Sequence, residues 1–422
     1  MDYAPLNRLL QRLEKLHPKF IDLSLKRLSK LLNKLSNPHL KVPPVIHIAG
    51  TNGKGSTLSF IKQILIEHNL KTHCYISPHL ESIEERFIIS NKYIKKQKLY
   101  NTLKYVEKIN NKEPITFFEI TTAAAFLLFS KSKADFLILE TGLGGRLDAT
   151  NIIKDSILDI VTPISYDHQE YLGKTLKKIT NEKLGIIKKS SSIIVGKQQK
   201  EITNYILKKL KNKKNRKFFY NKNYKISDIK NKKFIISLKN TKLSFCKPSL
   251  LGKHQIENAA LAIIAILEIK RIGYKIQKNL INKALTKTVW PGRLEKFYIR
   301  NIPIYLDGAH NIAGAMQLAN FLNKNNKNTW LIIGMLNHKN ITLFLNSLKK
   351  YITGIIAIKI PGEKNAYTAE EISDVCKKLN IFCIKQKNII AAQNYLLNNI
   401  LPERILITGS LYLVGNVRRL FI

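Results

Sequence analysis

Apolar and polar positions alternate in blocks along this chain, and the blocks change period. Val45–Ala49 is a short apolar run, followed by the glycine-rich turn Gly50–Gly55 and a helical pattern from Ser56 to about Asn69. Thr72–Ile76, Phe136–Glu140, Leu158–Thr162 and Ser192–Val195 read as further strands. Between them, Thr116–Ser130 reads as a buried helix and Leu176–Lys188 has helical periodicity. Ahead of the first strand, Asp22–Leu35 is an amphipathic helix, broken by Pro38, Pro43 and Pro44. A polar loop is expected over Ser77–Ser90.

The pattern changes between Lys208 and Lys247, where Lys and Asn dominate and apolar pieces such as Lys233–Leu238 are short. An antiparallel excursion and a surface insertion both fit. Helical periodicity returns over His254–Arg271, and Trp290, Pro291 and Gly292 mark a break. Strand candidates then recur at Ile304–Leu306, Trp330–Ile333, Ile355–Ile358 and Ile405–Ile407. Strands alternating with helices imply parallel sheets covered on both faces. The expected architecture is α/β: an N-terminal P-loop-type, mostly parallel sheet domain (1–294) and a smaller C-terminal Rossmann-like domain (295–422). No repeat at solenoid periods is seen.

Composition narrows the class. The 422 residues are 45% hydrophobic and 24% charged, a globular balance with room for two or three domains. No apolar run approaches the roughly 18 residues of a membrane helix. Cys74, Cys246, Cys376 and Cys383 form neither a CxxC pair nor a zinc pattern, which fits a reducing cytoplasm. The N-terminus lacks a signal-peptide pattern. With 71 positive and 29 negative side chains the formal charge is +42. The excess is Lys, spread over the whole chain, with no aromatic-interleaved stripe, so no nucleic-acid partner is expected. The field still attracts anionic substrates such as nucleotides and polycarboxylates.

The strongest local signal is VIHIAGTNGKGST, Val45–Thr57. A strand, a glycine turn, a lysine, hydroxyls and a helix start make a phosphate cradle: inward backbone amides, a positive helix end and an ammonium. Gly50, Thr51, Asn52, Gly53, Lys54, Gly55, Ser56 and Thr57 are therefore candidate ATP contacts, with Lys54 on the β/γ-phosphates and a Ser56 or Thr57 hydroxyl near Mg²⁺. The usual G-x-x-x-x-G-K-[ST] spacing is not met, because position 48 is Ile and Gly55 follows Lys54. A plain glycine turn capped by Ser56 is the structural alternative.

GTNGKGS resembles the variant loop of the Mur ligase superfamily. Six further segments follow in order: ISPHLESIEERF (76–87), ETGLGGRLDATN (140–151), DHQEYLG (167–173), NEKLGI (181–186), PGRLE (291–295) and LDGAHN (306–311). Together they resemble the folylpolyglutamate synthase family, including the bifunctional dihydrofolate synthases of bacteria, over nearly the whole chain. The resemblance implies an ATP-dependent ligase that phosphorylates a folate-type carboxylate and joins it to the amine of L-glutamate, releasing ADP and phosphate. Dihydropteroate and reduced folates are the implied acceptors, the site is expected in the cleft between domains, and a monomer is expected.

The residues have readings of their own beside this. Glu140 ends an apolar strand, where ligands of open α/β sheets bind, and so suits Mg²⁺. His168 follows Asp167 after a strand and by composition alone is as readily a loop histidine. Beside the Ser56 hydroxyl taken from the loop pattern, the resemblance carries Ser77, Glu140 and His168 to magnesium sites, two in number. It makes Lys183, otherwise a surface helix lysine, a carbamylated metal-site residue, and with Lys54 and His168 part of the catalytic set. It also assigns Asn258 near adenine, Arg293 to the nucleotide and Asp307 to the ribose. Arg86, Phe118 and Glu119 become substrate contacts in an aromatic wall, although adjacent Phe117 and Phe118 also suit a core. Two rival readings are a nucleic-acid-stimulated P-loop ATPase and a peptidoglycan Mur ligase. The second would carry an extra N-terminal domain, whereas here the phosphate loop arrives by residue 50. A decayed phosphate-loop protein is disfavoured by the intact Lys54, Glu140, His168, Lys183 and Asp307.

Overall fold

Alternating strands and helices give two α/β units. The computed structural model describes residues 3–19, 21–229, 232–323 and 327–422. By Cα proximity the chain divides into Met1–Lys247 with Glu257–Thr288, and Pro248–Ile256 with Val289–Ile422.

The first unit is built on an eight-stranded sheet. Its strands are β1 (Val45–Ala49), β2 (Thr72–Tyr75), β3 (Phe87–Ile89), β4 (Lys92–Tyr93), β5 (Phe136–Glu140), β6 (Leu158–Val161), β7 (Ser192–Val195) and β8 (Lys217–Phe219). They lie in the order β4-β3-β2-β5-β1-β6-β7-β8. β1, β2 and β5 to β8 are mutually parallel, and β3 and β4 extend one edge antiparallel. β1, β5, β6 and β7 are buried at every position, which is why their sequences run apolar without alternation. Parallel pairing brings the segments after β1, β2, β5 and β6 to one carboxyl edge. Ile48 is registered against Glu140 and Ala49 against Val161, and the chain crosses β1 on its way from β5 to β6. That reversal is where open α/β sheets place ligands.

Two helices fix this edge. Lys54–Glu67 leaves β1 directly. Phe117–Ser130 is apolar around its circumference and sits in the core with the leucines of helices Ala4–Glu14 and Lys26–Lys34. Its start is set by a capping box, Thr116 with Glu119.

The Lys/Asn-rich segment resolves as the antiparallel alternative: Tyr224–Ile229, Lys233–Leu238 and Thr241–Cys246 pair in register as a three-stranded sheet. The expected loop at Ser77–Ser90 is corrected, since it contains a 3₁₀ turn (Ile83–Arg86) and β3. Helices Lys96–Asn110, Lys200–Leu210 and Lys278–Lys287 were not anticipated, because lysine and asparagine dilute their apolar stripes. The second unit carries a six-stranded sheet in the spatial order Glu295–Ile299, Ile302–Leu306, Arg404–Thr408, Thr329–Ile333, Gly354–Ala357 and Cys383–Lys385. Only the first of these pairs antiparallel. Among the described residues, no helix is long and apolar enough to cross a membrane.

Candidate active site

The glycine turn after β1 leads straight into a helix. Gly53 caps that helix in the left-handed region (φ +89°), and no side chain caps it. The helix therefore leaves its first amides, from Gly53 to Ser56, without internal acceptors. A Cβ on Gly53 would also come within 2.5 Å of Asn258 Oδ1, so the loop needs glycine there and holds Asn258 against it. Two of the loop's amides do not point inward as the motif suggests. Thr51 N and Asn52 N donate to Pro163 O at 2.9 and 3.3 Å, tying the loop to the end of β6. Thr51 Oγ1 continues that tie by donating to Ser165 O at 3.1 Å. The anion-facing donors narrow to the helix start.

Two ammonium groups converge on one carbonyl. Lys54 Nζ donates to Gly50 O at 3.2 Å and Thr51 O at 3.4 Å, while Lys183 Nζ donates to Gly50 O at 2.8 Å. Lys183 is 4% exposed. Burial, and then the charge of Lys54, push its amine down to about 7, against the opposing pull of Asp167 and Asp148. The surface lysine suggested by the helical pattern is thus a buried one. Packing puts it there: Arg146 N donates to Glu182 O at 2.7 Å, and Asn151 Nδ2 to Gly185 O at 3.1 Å, clamping the 140–151 segment onto the lysine's helix.

The neighbouring strand ends supply oxygen. Glu140 is buried, and one of its carboxylate oxygens accepts from Ser77 N at 3.4 Å, which brings the ends of β2 and β5 together. His168 adopts a left-handed backbone (φ 49°), with Nε2 3.8 Å from Asp167 Oδ1. Among the described residues no three His, Cys, Asp or Glu side chains form a ready metal cluster. The ligand atoms here are hydroxyls, the Glu140 and Asp167 carboxylates and the His168 imidazole, and the buried Thr57 Oγ1 has no partner among the described residues. Such a set fits magnesium, which keeps several waters and takes phosphate oxygens as ligands.

The aromatic wall lies in the same unit. Phe118 stacks on Tyr75 with centroids 5.8 Å apart, and a Cβ on Gly142 would come within 2.6 Å of its Cζ. The Arg86 guanidinium sits 5.7 Å over Phe117 and donates from Nε to His79 Nδ1 at 2.9 Å. Glu119 Oε2 accepts from Thr116 N, Thr116 Oγ1 and Arg27 Nε, whereas the buried Oε1 has no partner among the described residues.

In the second unit, Asp307 accepts from Leu294 N and Ala309 N, both at 2.9 Å, and burial holds its carboxyl above the usual range despite Arg293. Arg293 Nη1 donates to Gly292 O at 3.1 Å.

Sequence reasoning gave no role to Asp148, Thr150 or His47. Asp148 is fully buried and binds Leu143 N, Thr150 N and Thr150 Oγ1. Its place in a glycine loop after a strand is the one signal that could have marked it.

Residues 48–266 match the Mur ligase middle domain, and residues 293–420 match the dihydrofolate synthetase C-terminal domain. The chain is similar to a probable dihydrofolate synthetase of Schizosaccharomyces pombe, 33% identical over 94% of this chain and 98% of that one. It is also similar to the dihydrofolate synthase/folylpolyglutamate synthase of Bacillus subtilis, 33% identical over 93% and 94%. Among solved structures it resembles E. coli FolC in complex with DHPP and ADP, with a TM-score of 0.89, 28% identity and coverage of 99% and 98%. It also resembles a bifunctional folylpolyglutamate synthase/dihydrofolate synthase with Mn, AMPPNP and L-glutamate bound, with a TM-score of 0.86, 25% identity and the same coverage.

Proposed function

Because the chain belongs to the dihydrofolate synthase/folylpolyglutamate synthase family of Mur ligases, we propose that it is an ATP-dependent ligase joining L-glutamate to dihydropteroate and to the glutamate tail of folates. The observation that carries the reading is the pair of ammonium groups, Lys54 and Lys183, on the single carbonyl Gly50 O, at the strand edge where Glu140 also ends.

Joining a carboxylate to an amine is uphill in water, so the acid is first phosphorylated by ATP and the amine then displaces phosphate. Phosphoryl transfer needs positioning and charge neutralisation more than covalent help. Within the loop Gly50 to Thr57, the amides from Gly53 to Ser56 face the triphosphate while Thr51 and Asn52 shape the turn, and Lys54 turns from its own loop carbonyls to the β/γ-phosphates. Asn258, Arg293 and Asp307 serve the nucleoside. Ser56, Ser77, Glu140 and His168 are the residues that would hold magnesium, two ions in this reading, which neutralises phosphate oxygens when bound. Arg86, Phe118 and Glu119 receive the pteridine end, with the bare Glu119 Oε1 suited to accept from a ring N–H.

Lys183 is carbamylated in this reading. CO₂ adds to a neutral amine, and burial makes the Lys183 ammonium give up its proton far more readily than an ordinary lysine. The anion so formed would remove the ammonium pair around Gly50 O and offer oxygens to a metal. The protein works as a monomer in the cytoplasm, for which its four free thiols are suited.

The test is ATP-dependent incorporation of labelled glutamate, with dihydropteroate and tetrahydrofolate offered separately. Labelling in both arms is expected. Labelling in one arm limits the substrate range, and none in either refutes the reading.

A further inference from the structure

His47 stands in the middle of β1, fully buried, with no part in the chemistry described so far. An imidazole inside an apolar strand is costly unless it is hydrogen-bonded. Its Nε2 lies 2.8 Å from Thr150 Oγ1. Thr150 in turn donates its hydroxyl proton to Asp148 Oδ1 at 2.6 Å. A hydroxyl has one proton to give, so it must receive from His47, and the ring is the neutral Nε2–H tautomer. Nδ1 is then a bare lone pair, and it has no partner among the described residues. Burial keeps the ring neutral, with its pKa pushed down to about 3.

The chain of bonds continues past Asp148. Its Oδ2 accepts from Leu143 N at 2.8 Å, its Oδ1 from Thr150 N at 3.0 Å, and the Gly142 amide also bonds the carboxylate. Gly142 and Leu143 come just after Glu140. His47, Thr150 and Asp148 are each at most 1% exposed, so water does not loosen the relay. It begins on the strand that ends in the phosphate loop and ends on the loop that starts with Glu140.

We infer that His47 is a positioning residue for ligation: through Thr150 and Asp148 it fixes the Gly142–Leu143 loop, and with it the Glu140 carboxylate, relative to the phosphate loop. The inference rests on the ligase reading of that edge. It requires a donor at the Nε2 position rather than an imidazole as such.

Three variants separate this from a packing role. His47→Leu fills the space without a donor, His47→Gln restores an N–H of similar reach, and Thr150→Val is nearly isosteric and breaks the relay one step later. His47→Leu and Thr150→Val should each lower kcat about tenfold, the scale of one buried hydrogen bond, with KM for ATP changed less than about twofold. His47→Gln should recover most of the loss, and the Leu/Val double variant should be no worse than either single one. ¹⁵N NMR of the wild-type chain should show His47 protonated at Nε2 and bare at Nδ1. Wild-type kcat in the Leu variant, no recovery in the Gln variant, losses that multiply, or an Nδ1–H tautomer would each overturn the inference. If His47→Leu does not fold, Thr150→Val carries the kinetic test. Should the wild-type chain ligate no glutamate, the ligase reading fails while the tautomer still decides the relay.

Discussion

The phosphate edge and the aromatic wall belong to the same unit yet treat charge in opposite ways. At the edge, two ammonium groups crowd one carbonyl and a run of helix amides lacks internal acceptors. At the wall, Arg86 leans on His79 and Phe117, and Glu119 is held by Arg27 and Thr116. The first arrangement is electrostatically unfinished and is completed by an anion, whereas the second pairs its charges within itself, leaves only Glu119 Oε1 open among the described residues, and offers shape. A buried cluster of like charge costs stability, so its presence marks binding rather than architecture.

The contrast breaks most visibly at Lys54. Lys54→Ala should lower kcat for ligation at least ~10²-fold, the scale of removing one electrostatic stabiliser of a transferring phosphoryl group. Steady-state assays with ATP and glutamate measure this, and near-wild-type turnover would mean that the ammonium serves only its own loop carbonyls.

Lys183 tests the cost side of the same contrast. Its amine is depressed in the fold to about 7 from an ordinary 10.5. Between those values the unfolded chain binds the extra proton, so stability rises with pH across that window, and the penalty is full below about 7. In bicarbonate-free buffer Lys183→Met should therefore be more stable than wild type at pH 7 by a few kcal/mol at order of magnitude, and should lose that advantage toward about pH 10. Bicarbonate should stabilise wild type and not the variant. Denaturant unfolding at the two pH values measures both effects, and a difference that does not move with pH would show that Lys183 keeps its proton in the fold.

What the sequence makes legible follows the same division. Val45–Ala49, Phe136–Glu140 and Ser192–Val195 are read to the residue, because strands buried on both faces leave uninterrupted apolar runs. The phosphate loop is read from its glycines and lysine. The burial of Lys183 is not legible, since a helical pattern shows one lysine among polar neighbours, and the 140–151 segment clamped over its helix and the loop carbonyl of Gly50 that it bonds are both remote in sequence. The turning of the Thr51 and Asn52 amides to Pro163 O depends on a residue more than a hundred positions away. β3 escapes notice because three residues carry too little period to register.

The smallest effect is expected at the wall, and it separates shape from charge. Phe118 presents one face to Tyr75 and covers Gly142, so it carries no charge and bonds to nothing that the phosphates touch. Phe118→Leu keeps most of its volume and its apolar character, and so should fold with a cost below about 1.5 kcal/mol. It loses the flat face on which a pteridine would stack, an interaction of about 0.5–1.5 kcal/mol beyond buried area. KM for the pteridine substrate should therefore rise by up to about tenfold, while kcat and KM for ATP stay within about twofold. Initial-rate kinetics with each substrate varied in turn measure the split. A fall in kcat with KM unchanged would place Phe118 among the groups that act on the transition state, and the division between a charged edge and a shaping wall would not hold.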